Sequence, residues 1–250
     1  MIEIKNVCKS FDGKVVLNDI SCVFEKGKTN LIIGQSGSGK TVLLKSIVGL
    51  HEVTSGDIRY DNRSFTAMRN DERKEVRKEI GMLFQGSALF DSLTVEDNVR
   101  FPMDMFSNMS SLEKRKRVDV CLSRVDLHKV HKLFPSEISG GMQKRVAIAR
   151  AISLNPRYLF CDEPNSGLDP KTSIIIDELI YEITKEYQMT TVINTHDMNS
   201  VLGIGEKIVF INKGEICWEG TNKEVFATDN QQLNDFIFAS DFAKLIRNHL

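Results

Sequence analysis

Apolar and polar residues alternate at the start of the chain. Met1-Ile2-Glu3-Ile4-Lys5 reads as a half-buried strand. Val15-Val16-Leu17 and Ser21-Cys22-Val23-Phe24 read as short strands, with a turn at Asp12-Gly13. Leu31-Ile32-Ile33 is a compact apolar run that stops at Gly34, as a buried central strand does. Residues 39–49 then predict a helix, with Val42, Leu43, Ser46, Ile47 and Leu50 as its inner stripe. Residues 71–78 are almost all charged and predict a solvated helix. The pattern over 86–155 is helical throughout. Beyond Pro156 come strand runs at 158–161, 190–194 and 208–211, with an amphipathic helix at 174–187. The tail, 222–250, predicts an amphipathic helix with Phe236, Phe238, Phe242, Leu245 and Ile246 on its apolar side.

Strands alternating with helices predict an α/β fold around a largely parallel sheet. The stretch 86–155 interrupts the alternation and reads as a helical subdomain inserted between two central strands. The expected division is a cassette over 1–222, with its core at 1–85 and 156–222, followed by a helical tail at 223–250. The length, 250 residues, suits one large domain with such an insertion.

The 33 basic and 34 acidic residues leave a net charge of −1, which excludes a polybasic nucleic-acid binder. There is no run of eighteen apolar residues, so the chain does not itself cross a bilayer, and the N-terminus lacks the pattern of a signal peptide. Five widely spaced cysteines, Cys8, Cys22, Cys121, Cys161 and Cys217, without a CxxC, read as reduced buried thiols of a cytoplasmic protein.

Three local motifs carry chemistry. Gly34-Gln35-Ser36-Gly37-Ser38-Gly39-Lys40-Thr41 fits G-x-x-x-x-G-K-[ST] between a buried strand and a helix. Its glycines allow close phosphate approach, and its N–H groups form an anion cradle at a helix start. Lys40 is expected on the β- and γ-phosphates, and Thr41 on Mg²⁺. Asp162 and Glu163 close an apolar strand, where a metal beside the phosphates would be held. Asp162 suits Mg²⁺ through water, and alternation would send Glu163 to the opposite side to polarise an attacking water. Ser139-Gly140-Gly141 opens a second glycine-led helix, an anion site without a lysine. Two such sites in one small chain make sense if loop 34–41 of one copy and 139–141 of another enclose one ATP.

These motifs, with Gln85, Ser166-Gly167-Leu168-Asp169 and Thr195-His196-Asp197, stand in the order of an ABC-transporter ATPase subunit, which residues 1–220 resemble. The resemblance implies a P-loop (RecA-like) NTPase core sheet, an N-terminal antiparallel β subdomain, the helical insert, and ATP hydrolysis with Mg²⁺. It implies that Phe11, with Val16 beside it, stacks on adenine and that Val42 joins the phosphate loop in holding the nucleotide. Gln85 is expected to contact Mg²⁺ and the attacking water, Asp169 to act across a dimer, and His196 to contact the γ-phosphate. Met142 stands where the family usually has Gln. That feature, 38–45 and Gln85-Gly86-Ser87-Ala88-Leu89-Phe90-Asp91-Ser92-Leu93-Thr94-Val95 resemble the Mla/Mce-type lipid transporters, although that branch commonly reads Q-S-G-A-L-F.

The implied partners are an integral-membrane permease, a second and identical ATPase chain, and a lipid-binding Mce-domain subunit. The implied place is the cytoplasmic face of the inner membrane. The apolar residues from Ala88 to Met103 read partly as core and partly as a groove for a permease helix. The alternatives are an importer of another substrate and a non-transport ABC ATPase. A kinase or GTPase would lack 139–141 and His196.

Overall fold

The computed structural model describes residues 1–238. In chain order the strands are β1 (Ile2–Phe11), β2 (Lys14–Phe24), β3 (Thr29–Ile33), β4 (Ser55–Tyr60), β5 (Arg63–Ser64), β6 (Ile80–Leu83), β7 (Tyr158–Asp162), β8 (Thr190–Asn194), β9 (Lys207–Asn212) and β10 (Glu215–Gly220). The helices are α1 (Lys40–Ile47), α2 (Asn70–Lys78), α3 (Val95–Phe106), α4 (Ser111–Arg124), α5 (Gly140–Ala151), α6 (Pro170–Tyr187), α7 (Met198–Ile204) and α8 (Gln231–Ile237).

Two sheets form. One is antiparallel, in the order β2-β1-β4-β5. The other runs β10-β9-β3-β8-β7-β6 and is parallel except at β10. Every residue of β3, β7 and β8 is buried, as strands covered on both faces must be. Side-chain alternation splits the interior in two. Leu31, Ile33, Leu159, Cys161 and Ile193 join the cluster under α3 to α8. Ile32, Tyr158, Phe160 and Val192 join the cluster shared with α1, α2 and the antiparallel sheet. Truncating a side chain such as Phe160 would cost about 3–5 kcal/mol.

Several expectations are corrected. The two short strands after Asp12-Gly13 are one strand, β2, which stays continuous across Asp19 by a left-handed kink (φ 52°) and a shift of register. Leu50 lies beyond the end of α1 and is 55% exposed, so it is not part of the inner stripe. The solvated helix α2 still buries Arg73 and Val76.

Residues 86–155 are not helical throughout. Left-handed residues at 86–88 and at Asp126 and Lys129 leave loops before α3 and between α4 and α5. Buried Asn98 also ties residues 90–94 down, bonding the Phe90 N–H and the carbonyls of Phe90, Leu93 and Thr94. In the tail only 231–237 is helix among the described residues. Leu233, Ile237 and Phe238 are buried on the chain's own core, and Phe242, Leu245 and Ile246 lie outside the described residues.

The parallel register sets up the site. Ile32 pairs with Asn194, Asp162 with Asn194, and Leu83 with Cys161. The segments that follow β3, β6, β7 and β8 therefore leave the sheet at one edge, where ligands of such sheets bind.

Candidate functional site

The loop after β3 is shaped by the chain's own crowding. A β-carbon on Gly34 (φ 149°) would lie 2.1 Å from the Ile211 carbonyl. One on Gly39 (φ 109°) would lie 2.9 Å from Leu17 and 3.1 Å from the Val16 carbonyl. Val16 thus meets the start of α1 through its backbone. Lys40 is buried, and its Nζ donates to the carbonyls of Gly34 (2.8 Å) and Gln35 (2.9 Å). Burial pushes the Lys40 pKa down, and Glu163 and Asp162 nearby oppose that shift. Ser38 Oγ is buried without a partner. A buried cation, an orphan hydroxyl and the open amide end of a helix suit a phosphate chain. Ser36 and Gly37 (φ 80°) form the exposed lip of the loop, and Val42 packs partly buried beside α1's core residues.

At the ends of β7 and β8, Asn194 Nδ2 donates to Asp162 Oδ1 (2.5 Å) and to Thr41 Oγ1 (3.1 Å). Thr41 Oγ1 lies 3.4 Å from Asp162 Oδ1. These hard oxygens suit Mg²⁺. Among the described residues no three His, Cys, Asp or Glu side chains cluster to hold a metal alone, and Mg²⁺ typically takes its remaining ligands from water and phosphate.

Glu163 does not follow the alternation of β7. The strand ends at Asp162, and Glu163 is left-handed (φ 46°), so the turn sets its direction. Gln85 Nε2 donates to Glu163 Oε2 at 3.0 Å, and His196 Nδ1 lies 3.2 Å from Glu163 Oε1. Glu163 and His196 open onto a cavity of about 430 Å³ that Asn165, Gly167 and Asp197 also line.

The second glycine motif lies elsewhere. Ser139 caps α5, its Oγ accepting from the Met142 N–H at 3.3 Å. Gly140, Gly141, Arg145 and Asp169 line a cavity of about 710 Å³ with it. Asp169 caps α6, and its bonds from Thr172 hold its carboxyl below the usual carboxylate range. No hydrogen bond among the described residues joins 139–141 to 34–41. The Phe11 ring is 38% exposed, meets His51 edge-on at 5.3 Å and carries the Lys9 ammonium 4.6 Å from its centre.

Sequence reasoning missed Asn194, although an Asn closing the β-branched run Thr190-Thr191-Val192-Ile193 was a signal. It also missed a buried seam behind the site. Asn165 Nδ2 donates to Ser200 Oγ (3.1 Å), which donates to Asp177 Oδ2 (2.7 Å). Burial pushes the Asp177 carboxyl up to about 6. Lys144, buried with no bonded partner, was missed as well.

Ala88, Phe84, Phe90, Phe101, Phe106 and Arg150 help line an apolar cavity of about 460 Å³. Val95, Val99 and Met103, in contrast, are fully buried core.

A family model described as ABC transporter matches residues 17–166. The methionine import ATP-binding protein MetN of Campylobacter jejuni subsp. jejuni is 37% identical over 97% of this chain and 77% of its own. MetN of Clostridioides difficile is 37% identical over 95% and 74%. Among solved structures, the ATP-binding cassette MJ0796 in a dimeric post-hydrolysis state with ADP and Pi superposes with a TM-score of 0.81. It is 34% identical, over 89% of this chain and 99% of that one. The structure of cbiO1 from Clostridium perfringens, described as part of the ABC transporter complex cbiONQ, gives 0.85 at 28% identity, over 98% of each chain.

Proposed function

The chain belongs to the ABC transporter ATP-binding family, whose members couple ATP hydrolysis to transport, and we propose that it drives an importer of a small polar solute such as methionine. The methionine-import names of its curated relatives support the substrate class. The observation that carries the catalytic part is Glu163 held between Gln85 and His196, beside Lys40 and the Thr41–Asp162–Asn194 cluster.

Two copies work under a membrane permease. Each ATP lies between loop 34–41 of one copy and 139–141 of the other, and Phe11 offers its exposed face to the adenine. Thr41, Asp162 and Gln85 would hold Mg²⁺, which neutralises phosphate charge when bound. Glu163 takes the proton of the attacking water, and Gln85 and His196 fix that carboxylate. Lys40, His196, Ser139 and the loop amides stabilise charge on the transferred phosphoryl group. Asp169 acts across the pair.

No helix among the described residues is long and apolar enough to cross a membrane. We place the pair on the cytoplasmic face, with a permease helix in the cavity around Phe90 and Phe101. Phe90→Asp should leave the chain's own hydrolysis intact and abolish its stimulation by the permease; full stimulation would refute this placement.

A lipid substrate is the second reading, resting on residues 85–95 and Met142. The relatives' names give it no support, nor the Mce-domain subunit it would bring. Uptake of labelled methionine by a deletion strain decides. Loss of high-affinity uptake, restored by the gene, supports the importer. Unchanged uptake with altered outer-leaflet phospholipid moves the assignment to lipid.

A further inference from the structure

Gln85 reaches Glu163 from the edge of a strained turn. Gly86, Ser87 and Ala88 have φ of 82°, 65° and 46°, three left-handed residues in succession, two of them bearing a β-carbon. Inside the turn the Ser87 N–H donates to the Phe84 carbonyl at 3.0 Å, and the Ala88 N–H to the Gly86 carbonyl at 2.7 Å. One side chain takes the two outward carbonyls. Arg150 Nη2 donates to Ser87 O and Nη1 to Ala88 O, each at 2.7 Å.

Arg150 is 9% exposed and follows the run Val146-Ala147-Ile148-Ala149 on α5. None of the ion pairs among the described residues includes it, and burial pushes its pKa down. A buried guanidinium without a counter-charge is costly. Among the described residues its side chain donates to these two carbonyls alone.

We propose that Arg150 is a positioning residue, clamping the left-handed turn 86–88 so that Gln85 is held against Glu163. The clamp matters only if Gln85 and Glu163 act in hydrolysis as proposed for them. A planar fork spans two neighbouring carbonyls, whereas a lysine ammonium presents a single compact charge. The clamp also joins distant parts. Its helix begins at Ser139-Gly140-Gly141, and Ala88 and Arg150 both line the cavity around Phe90 and Phe101. Movement of either surface is thereby passed to the Gln85 side chain.

The test is a double-mutant cycle on the full chain with ATP and Mg²⁺. Arg150→Lys is expected to lower kcat about tenfold, as a small misplacement does, with KM for ATP within about twofold of the parent. In a Gln85→Ala background it should cost nothing further. Backbone amides of the 84–90 peptide should exchange faster in Arg150→Lys without nucleotide. Ala88→Val strains the same left-handed turn while leaving Arg150 itself unchanged, and should give the same pattern if Arg150→Lys folds poorly.

Losses from Arg150→Lys and Gln85→Ala that multiply would overturn the clamp. So would a loss confined to KM, or unchanged exchange at 84–90. If Gln85→Ala slows turnover and Arg150→Lys does not, only the clamp fails. If Gln85→Ala turns over normally, the role of Gln85 in hydrolysis fails first.

Discussion

Two helices of this protein begin with glycines, and their surroundings differ. At α1, Ser38 and Lys40 are buried, and Gly34 and Gly39 are required because the chain's own atoms leave no room for a β-carbon. At α5, Ser139 and Gly140 are exposed, no lysine stands within 139–141, and a β-carbon on Gly140 would meet nothing within 4 Å. A glycine inside a helix usually costs stability. The first corner explains its glycines by itself, whereas the second has a glycine that its own chain does not need. That asymmetry suits a half-site completed by the nucleotide of a second copy.

The largest expected effect tests the enclosed corner. Glu163→Gln keeps the shape of the side chain and its reach to Gln85, and removes the basic carboxylate. Turnover should fall a hundredfold or more, about 3–4 kcal/mol in barrier, while ATP still binds and closed pairs accumulate. Gel filtration with ATP and a steady-state rate measure both. Near-normal turnover would remove Glu163 from its role and leave the enclosed corner a binding site only.

The next effect lies in the seam between the corners, where Asn165, Ser200 and Asp177 tie the turn after Glu163 to α6 and α7. Asp177 is buried and its folded pKa is raised to about 6, from an ordinary value of 3.8. The folded state therefore takes up this proton first as pH falls. The stability it contributes is fully present below the ordinary value and is lost as pH rises through about 6. Over that window it amounts to about 3 kcal/mol at most. Urea midpoints at pH 4.5 and pH 7 should differ more for the parent than for Asp177→Asn. Equal differences in the two proteins would place the titration elsewhere.

The glycines themselves separate the corners. Gly34→Ala forces a β-carbon into the Ile211 carbonyl and should cost about 2–3 kcal/mol of stability. Gly140→Ala should leave stability unchanged or raise it by up to about 1 kcal/mol, read as an unchanged or higher melting temperature, and yet weaken ATP-driven pairing. Unimpaired pairing in Gly140→Ala would mean that the partner's nucleotide does not need a glycine at this position.

Legibility in the sequence followed the same division. Strands β3, β7 and β8 were readable because burial on both faces leaves each with a compact apolar or β-branched run: Leu31-Ile32-Ile33, Tyr158-Leu159-Phe160-Cys161 and Thr190-Thr191-Val192-Ile193. The strand β4 was not, since Gly56, Asp57 and Arg59 interrupt it and only Ile58 and Tyr60 are buried. The strand β6 is four residues long, and its Gly81 admits the Ala151 carbonyl so closely that no side chain would fit. Lys40, Thr41, Asp162, Glu163, Ser139 and His196 sit in contiguous motifs whose chemistry is local. Asn194 and Arg150 act on partners 32 to 153 positions away. Only the fold brings these together, and a lone Asn or Arg at the end of a buried run shows merely that a partner exists. The direction of Glu163 was misread for a related reason: alternation governs a strand, and Glu163 lies one residue past its end.

The smallest expected effect concerns Met142, where the resembled family usually has Gln. Its N–H donates to Ser139 Oγ, and its side chain packs half-buried on the helical core. On the proposed reading, the exposed corner would recognise an anion through backbone donors and the Ser139 hydroxyl, and neither depends on this side chain. Met142→Gln should therefore change turnover less than about twofold and lower stability by about 0.5 kcal/mol, for the apolar area lost. A tenfold change in turnover would mean that residue 142 touches the partner's nucleotide directly. The open corner would then read its ligand through a side chain as the enclosed corner does, and the contrast between the two would narrow to burial alone.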